Sequence, residues 1–189
     1  MGAGLQVLKV AGGLCWAALV FAGFWFAGRY EQTPGKAASA PGQVQSAGSG
    51  RPLVLAFIHP LCPCTSVTLA NLQEIAATRA DNADYRIYAA RVPASEKPRS
   101  GPLPGMTWIE DDGREAAKYG AETSGQIIVY DARGKRCFSG GITVARGHYG
   151  TSPGGQALLD ILDGRPPKIS EAPVYGCALP TQEEQEIVR

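Results

Sequence analysis

The amino-acid sequence predicts an α/β domain that follows a single membrane-spanning helix. Three observations carry this prediction. Residues 10–28 contain no charge, the apolar run 53–59 passes directly into a helix-like stretch, and two later strand-like runs flank a glycine turn. An uncharged stretch of this length is typical of a membrane span, whereas alternating strand and helix patterns are typical of an α/β sheet.

Residues 10–28 are predicted to be the transmembrane helix. At about 1.5 Å per residue they just cross the hydrocarbon of a bilayer. Trp25, Phe26 and Tyr30 cluster at one end, as aromatic side chains do at the headgroup level. The competing interpretation is a cleaved signal peptide, because Ala-Ser-Ala at 38–40 is a small-residue site of the right kind. The length of the apolar run and its distance from that site favour an uncleaved anchor.

The rest of the chain divides by composition. Residues 1–9 are expected to form a cytoplasmic leader, with the C-terminal bulk outside the cytoplasm. Residues 29–50 are rich in Gly, Ala, Ser, Pro and Gln and predict a flexible linker. Residues 51–165 supply one domain core, and 166–189 form a C-terminal tail. The formal net charge of +1 and the scattered Lys and Arg exclude nucleic acid as a partner.

Strand and helix patterns alternate through the predicted domain. Strands are predicted at 53–59, 85–92, 106–110, 126–130 and 135–140. Helices are predicted at 63–77, 114–119 and 155–162. The Asp-Ala-Arg-Gly sequence at 131–134 supplies the hairpin turn between the last two strands. Strand, helix, strand, helix, hairpin and helix around one sheet is the order of a thioredoxin fold.

This order predicts which loops meet at the first strand–helix junction. If 53–59 and 126–130 run antiparallel side by side, the second hairpin strand returns towards the end of the first strand. The following loop, residues 140–148, then arrives near Cys62. The chain has two histidines, His59 and His148, and both are therefore expected close to Cys62 and Cys64.

Cys62-Pro63-Cys64 lies where the apolar strand gives way to the helix, with Pro63 at a position that suits a helix start. A thiolate at a helix N-terminus gains from the helix dipole and from unpaired backbone N–H groups, so the pKa of Cys62 should be depressed. Cys64 would be the resolving thiol or a second metal ligand. Because residues two apart diverge on a helix, a Cys62–Cys64 disulfide requires irregular backbone and would be easily reduced. The bland alternative is two small buried apolar residues.

The remaining cysteines divide between the span and the exported part. Cys15 lies in the predicted membrane helix and is interpreted as packing. Cys62, Cys64, Cys137 and Cys177 lie where an oxidising compartment permits disulfides, and four thiols allow three pairings. We prefer Cys62 with Cys64 as a labile pair and Cys137 with Cys177 as a structural disulfide, although the sequence leaves the pairing open. A Cα separation above about 7 Å would exclude the latter.

Two residues of the 140–148 loop have alternative roles. His148 can complete a Cys62, Cys64, His148 site for copper or zinc, stabilise the thiolate as imidazolium, or be an exposed loop histidine. Arg146 can hold a thiolate or an anionic partner near the site, or be a solvated arginine.

The motifs FIHPLCPCT, TSGQIIVYDARG, FSGGIT, ARGH and YGCAL resemble the RedB-like group of membrane-anchored bacterial proteins with a thioredoxin-like domain. The likeness spans residues 53–179. It implies the fold, a bacterial envelope location and a thiol role. Typical thioredoxins carry Cys-X-X-Cys and a cis proline before the hairpin strand. Here the spacing is one residue, and Ser124-Gly125 occupies roughly the place of that proline, which argues against general protein reduction.

Three functions remain open from the sequence. The leading one is a membrane-anchored thiol–disulfide oxidoreductase of the inner membrane, facing the periplasm or exterior, with no required cofactor. Its partner is a protein thiol or disulfide, and Cys62 and Cys64 are its catalytic residues, supported by Pro63, Ser124, Gly125, Arg146 and His148. The second is a copper or zinc binding or delivery protein. The third is an interaction module that has kept the scaffold alone.

Overall fold

A computed structural model describes residues 2–45 and 48–187, in two compact units, Met1–Thr33 and Pro34–Arg189. Residues 1, 46, 47, 188 and 189, which belong to the predicted leader, linker and tail, lie outside the described residues. The first unit is helix α1, Gly2–Gln32. It contains the predicted span 10–28 and is long and apolar enough to cross a membrane over Gln6–Gln32. Residues 2–9 continue this helix.

The second unit is built on a five-stranded sheet in the order β3-β2-β1-β4-β5. In chain order the strands are β1 Leu53–Ile58, β2 Asp84–Ala90, β3 Thr107–Asp111, β4 Gln126–Tyr130 and β5 Arg136–Gly140. β1, β2 and β3 are parallel, whereas β4 is antiparallel to β1 and β5 is antiparallel to β4. β1 is therefore the central strand, and the residues that follow it lie at the middle of one sheet edge.

Four helices accompany the sheet. They are α2 Pro63–Ala77, α3 Arg114–Lys118, α4 Pro153–Leu162 and α5 Gln182–Ile187. All six residues of β1 are buried, as expected for a strand covered on both faces. Its alternate residues point to opposite faces of the sheet. Val54, Ala56 and Ile58 pack in one apolar cluster with α2 and α4. Leu53, Leu55 and Phe57 pack in a second cluster with α3 and with Ala40, which precedes β1 in the chain.

The α/β, thioredoxin-like order that the sequence predicts is confirmed. The predicted bounds of β4 and α2 agree with the structure at both ends, and the other predicted elements of the domain differ by one or two residues. Helix α5 has no counterpart in the prediction. The edge strand β3 pairs with β2 in parallel, and the proline-containing loop 91–106 connects the two strands.

Residues 34–44, called the strap from here on, differ from the predicted flexible linker. The backbone N–H groups of Gly35, Ser39 and Val44 donate to carbonyls elsewhere in the second unit, at 2.8, 3.2 and 2.9 Å. Ala40 is buried in the second apolar cluster. The strap is held mainly by its backbone groups, which amino-acid composition does not report, and composition alone therefore predicted a free tether.

Residues 170–179, called the C-terminal segment from here on, lie in the predicted tail but pack against the sheet end that follows β1. The Gly141 N–H donates to the Pro173 carbonyl at 3.2 Å. A Cβ at Gly140 would lie 2.5 Å from the Ala172 carbonyl oxygen, and one at Gly141 would lie 2.6 Å from that of Pro173. The two glycines of the FSGGIT motif therefore permit the close backbone approach of this segment.

Candidate thiol site

Cys62 occupies the N-cap position of α2, as the sequence predicts. Its backbone is extended, with φ −70° and ψ 125°, and Pro63 begins the helix. The Cys62 N–H donates to the His59 carbonyl at 3.0 Å, and the Thr65 N–H donates to the Cys62 carbonyl at 3.1 Å. This turn places the Cys62 sulfur beside the first N–H groups of the helix, which have no acceptor within the helix itself.

The C-terminal segment brings a third cysteine to this turn. The Ser124 N–H donates to the Cys177 carbonyl at 2.8 Å, and Thr123 pairs with Ala178 in an isolated antiparallel bridge. The Cys177 thiol lies close enough to the Cys62 sulfur for each thiol to shift the pKa of the other. Cys62 is 3% exposed and belongs to neither apolar cluster, whereas Cys64 and Cys177 are partly exposed. The sulfur of Cys62 is thus buried among thiols and amides.

The pKa of Cys62 is the balance of burial and hydrogen bonding. Burial raises the pKa of this thiol, since it disfavours the thiolate. The Cys177 thiol and the backbone N–H groups of Cys177, Cys64 and Thr65 donate to the sulfur and lower its pKa. The donors outweigh burial, and the pKa of Cys62 lies below the ordinary thiol value. Cys62 is therefore the thiol of this cluster that ionises most readily.

The other two thiols respond in the opposite direction. Burial, followed by the charge of Cys62, raises the pKa of Cys64. Burial, followed by the hydrogen bond to Cys62, raises the pKa of Cys177 to about 12. Arg146 opposes both shifts, and the Gly147 N–H also opposes the shift of Cys64. Cys62 is therefore expected to ionise before its two neighbours as the pH rises.

Two buried hydroxyl groups, those of Thr65 and Ser124, hydrogen bond to the backbone of the turn that carries Cys62. The Thr65 Oγ1 donates to the His59 carbonyl at 2.9 Å and lies 2.9 Å from the Ser124 Oγ. The His59 N–H donates to the same Ser124 Oγ at 2.9 Å. Gly125 has φ 93°, and its N–H donates to the Phe57 carbonyl at 2.8 Å. Ser124 and Gly125 therefore lie at the site, where they join β1 to the start of β4.

The 140–148 loop reaches the site as the predicted topology requires. Arg146 donates through Nη1 to the Gly176 carbonyl, next to Cys177. The Arg146 carbonyl lies 2.9 Å from the His148 Nδ1, and the His148 ring is exposed. His59 is partly buried, which lowers its pKa, and its Nδ1 accepts from the Leu61 N–H at 3.2 Å. Arg146 therefore acts on the thiols, whereas the Nδ1 atoms of His59 and His148 lie beside backbone groups.

The metal alternative gains no support from this geometry. Within residues 2–45 and 48–187, no group of three His, Cys, Asp or Glu side chains is placed to hold a metal ion. This includes the predicted set of Cys62, Cys64 and His148. The site is therefore described as a cluster of thiols.

The structure does not contain the expected disulfide between Cys137 and Cys177, and all five cysteines are free. Cys177 lies beside Ser124, just before β4, whereas Cys137 precedes Phe138, which pairs with Val129 near the other end of β4. At about 3.4 Å per residue, the two positions are separated by roughly 17 Å along the strand. Such a separation exceeds the reach of a disulfide. The tail is fixed by backbone contacts instead.

The sequence does not predict that Cys177 lies beside Cys62, because it gives no measure of contacts between distant segments. The signal that was available is Gly176. A Cβ at this position would lie 1.8 Å from the Ser124 carbonyl oxygen, so only glycine permits this approach. A glycine directly before Cys177 indicates that this cysteine can lie close to the backbone of another segment.

No family model and no curated protein matches the chain. Solved structures do resemble it. An uncharacterised conserved protein from Geobacillus kaustophilus is 20% identical, with a TM-score of 0.57 over 78% of this chain and 92% of that one. A hypothetical protein from Sinorhizobium meliloti 1021 is 20% identical, with a TM-score of 0.53 over 78% of this chain and 93% of that one.

The exposed lipoprotein thioredoxin of Streptococcus pneumoniae is 17% identical, with a TM-score of 0.45 over 62% of this chain and 87% of that one. The likeness to the Geobacillus and Sinorhizobium proteins supports the fold alone, and the activity has to be argued from the site.

Proposed function

We propose that this protein is a membrane-anchored thiol–disulfide oxidoreductase in which Cys62 is the attacking thiolate. The observation that carries the proposal is the set of donors around the Cys62 sulfur, which lowers its pKa although the side chain is buried. A thiolate is the nucleophile in disulfide exchange, and its reactivity is greatest when its pKa is near the ambient pH. A cysteine kept only for packing would have no need of such donors.

The reaction uses sulfur chemistry alone. The Cys62 thiolate attacks one sulfur of a partner protein's disulfide, which forms a mixed disulfide and releases one partner thiolate. A neighbouring thiol then attacks the Cys62 sulfur, releases the second partner thiolate and leaves an intramolecular disulfide. Cys64 is the resolving thiol that the sequence predicts. The proposed function requires only that a thiol of this cluster resolves the intermediate.

The supporting residues have distinct roles in this proposal. Pro63 begins the helix whose N–H groups stabilise the thiolate. Arg146 lowers the pKa of Cys64, which favours its ionisation when it has to act as a nucleophile. Ser124 and Gly125 position the backbone beside Cys62. A role for His148 as a nearby cation remains a prediction from the sequence.

We further propose that α1 anchors the protein in the bacterial inner membrane, with the thiol domain facing the periplasm or exterior. The length and composition of α1 support a span, and the presence of thiols in the second unit suits an oxidising compartment. The RedB-like resemblance of the Cys62-Pro63-Cys64 and YGCAL motifs supports the same location. A cleaved signal sequence is the alternative, and N-terminal sequencing of the mature protein distinguishes the two.

The test is a redox titration of the full chain in detergent. The protein is equilibrated in graded buffers of reduced and oxidised glutathione, its free thiols are blocked, and its bonded cysteines are located by mass spectrometry. We expect Cys62 to pass between thiol and disulfide, Cys62→Ser to abolish this exchange and Cys137→Ser to leave it unchanged. A Cys62 that stays reduced in every buffer would contradict the proposal and favour an interaction module. Stoichiometric copper binding that His148→Ala abolishes would favour the metal alternative.

A further inference from the structure

We propose that Cys177 is a redox-active residue of this site and that it, rather than Cys64, forms the disulfide with Cys62. This inference rests on the proposed function and names the thiol that completes it. The oxidised site would then be closed by a bond between the turn before α2 and the C-terminal segment.

The first argument is position. The Cys177 thiol lies beside the Cys62 sulfur and, like the thiol of Cys64, shifts in pKa because of it. The segment is held at this place by the bond from Ser124 N–H to the Cys177 carbonyl and by the bridge between Thr123 and Ala178. Two neighbouring thiols on segments that approach from different directions can form a disulfide by a small adjustment of the C-terminal segment.

The second argument is the helix. Cys64 lies within the first turn of α2, two residues after Cys62, and the Thr65 N–H to Cys62 carbonyl bond of 3.1 Å closes that turn. A disulfide between residues two apart closes a small ring, and because Cys62 is extended whereas Cys64 is helical, this bond would distort the start of α2. Cys177 lies in irregular backbone outside any helix or strand, where a small adjustment is easier. The bond to Cys177 therefore avoids a distortion that the bond to Cys64 requires.

The third argument is access. Cys62 is 3% exposed, and the thiol of Cys177 is its neighbour. A partner disulfide therefore reaches Cys62 only when the C-terminal segment moves aside. After Cys62 has formed the mixed disulfide it no longer carries charge. The Cys62 charge that raised the pKa of Cys177 is then removed, while Arg146 still favours its ionisation. The return of the segment therefore brings a thiol that is easier to ionise than before.

The reaction balances as follows. Cys62 contributes a thiolate and Cys177 a thiol, and the partner contributes one disulfide. The first step forms the bond from Cys62 to a partner sulfur and breaks the partner's disulfide. In the second step Cys177 loses its proton to the first released partner thiolate, bonds to Cys62 and releases the other partner sulfur. The partner gains two electrons, and the Cys62–Cys177 pair loses two.

The experiment maps the disulfide of the full chain in detergent after treatment with oxidised glutathione. We expect Cys62–Cys177 to be the bond formed in the unaltered protein, in Cys64→Ser and in the distant control Cys137→Ser. We expect Cys177→Ser to retain glutathione on Cys62 at least tenfold longer than Cys64→Ser does. A Cys62–Cys64 bond in the unaltered protein, with Cys177 still open to alkylation, would overturn the inference.

A backbone variant tests the same inference without removing a thiol. Gly176→Ala places a Cβ against the Ser124 carbonyl and so displaces the segment. Gly101→Ala is the control, since no atom lies within 4 Å of its added Cβ. We expect at least tenfold slower formation of Cys62–Cys177 in Gly176→Ala and no change in Gly101→Ala, and equal rates in the two would overturn the inference. A Cys62 that forms no mixed disulfide in any variant contradicts the proposed function itself, whereas resolution through Cys64 contradicts this inference alone.

Discussion

Cys62 and Cys137 lie towards opposite ends of the β4–β5 part of the sheet, and their pKa values move in opposite directions. Burial raises the pKa of both. At Cys137 the charge of Asp131 adds to that increase, and the result is a raised pKa. At Cys62 one thiol and three backbone N–H donors reverse it. The comparison shows that donors directed at the sulfur, and not burial, distinguish the reactive thiol.

The secondary structure explains why Cys62 has several such donors, whereas Cys137 has the backbone N–H of Asp131. The first N–H groups of a helix are free to donate to a side chain, and Cys62 lies at that end of α2. Cys137 lies inside β5, where strand hydrogen bonds use the neighbouring backbone, and its thiol donates to the Lys135 carbonyl at 3.5 Å. The same residue type is therefore a candidate nucleophile at a helix start and an inert thiol in a hairpin.

A thiol titration tests most directly whether the pKa values of Cys62 and Cys137 differ in this way. We expect the ultraviolet absorbance of thiolate to show a step below the ordinary thiol range, because a lowered pKa allows Cys62 to ionise at lower pH. Cys62→Ser should remove the step, and Cys137→Ser should leave it in place. The comparison is wrong if the profile of Cys62→Ser superimposes on that of the unaltered protein.

The same shift contributes to the pH dependence of folding. Because the folded state favours the Cys62 thiolate, this contribution is fully present above the pKa of the unfolded chain. It is lost as the pH falls through the lower pKa of the folded state. The sign is opposite for Cys137, whose raised pKa disfavours the folded state once the pH exceeds the pKa of the unfolded chain.

A second test compares the polar groups that support the two ends. Thr65→Val removes a buried hydroxyl from the His59 carbonyl and the Ser124 Oγ, and we expect a loss of about 2 kcal/mol in the free energy of unfolding. Asp131→Ala removes more exposed acceptors of the Arg133 and Lys135 N–H groups and should cost about 1 kcal/mol or less. Urea unfolding under reducing conditions measures both. A larger loss in unfolding free energy for Asp131→Ala than for Thr65→Val would contradict the expectation that the buried hydroxyls near Cys62 contribute more to stability.

A third test concerns the Cys177 thiol, which the C-terminal segment places beside Cys62. Cys177→Ala removes the thiol that donates to Cys62, and a hydrogen bond to a charged group contributes about 1.5–3 kcal/mol. Because the smaller side chain also admits water, which solvates the thiolate, we expect the pKa of Cys62 to rise only part of the way towards the ordinary thiol value. Cys177→Ser keeps a donor and should shift it less. Equal pKa values in Cys177→Ala and the unaltered protein would show that the backbone N–H groups act alone.

The sequence predicts well those features that repeat over a few residues. The apolar run of β1, the proline at the start of α2 and the glycine turn between β4 and β5 placed the elements within one or two residues. The direction of these strands then placed the 140–148 loop at Cys62, and Arg146 and Gly147 do act on Cys64.

Features that depend on contacts between distant segments were predicted poorly. The strap was expected to be free because its composition offers little to bury, yet its backbone groups are bonded to loops far along the chain. Cys177 was expected to pair with Cys137 because both were left over after Cys62 and Cys64 were paired. Its position is determined by the approach of Gly176 to Ser124, and a glycine in the sequence indicates a close approach without identifying the segment that approaches.

The late position of Cys177 in the chain has a consequence for synthesis. A ribosome produces Cys62 and Cys64 long before Cys177, so the nascent domain presents its two early sulfurs without the segment that later covers them. Until residues 170–179 arrive, the thiols are open to any oxidant or foreign cysteine nearby. Correct maturation therefore depends on how quickly this segment joins the domain once it has been synthesised.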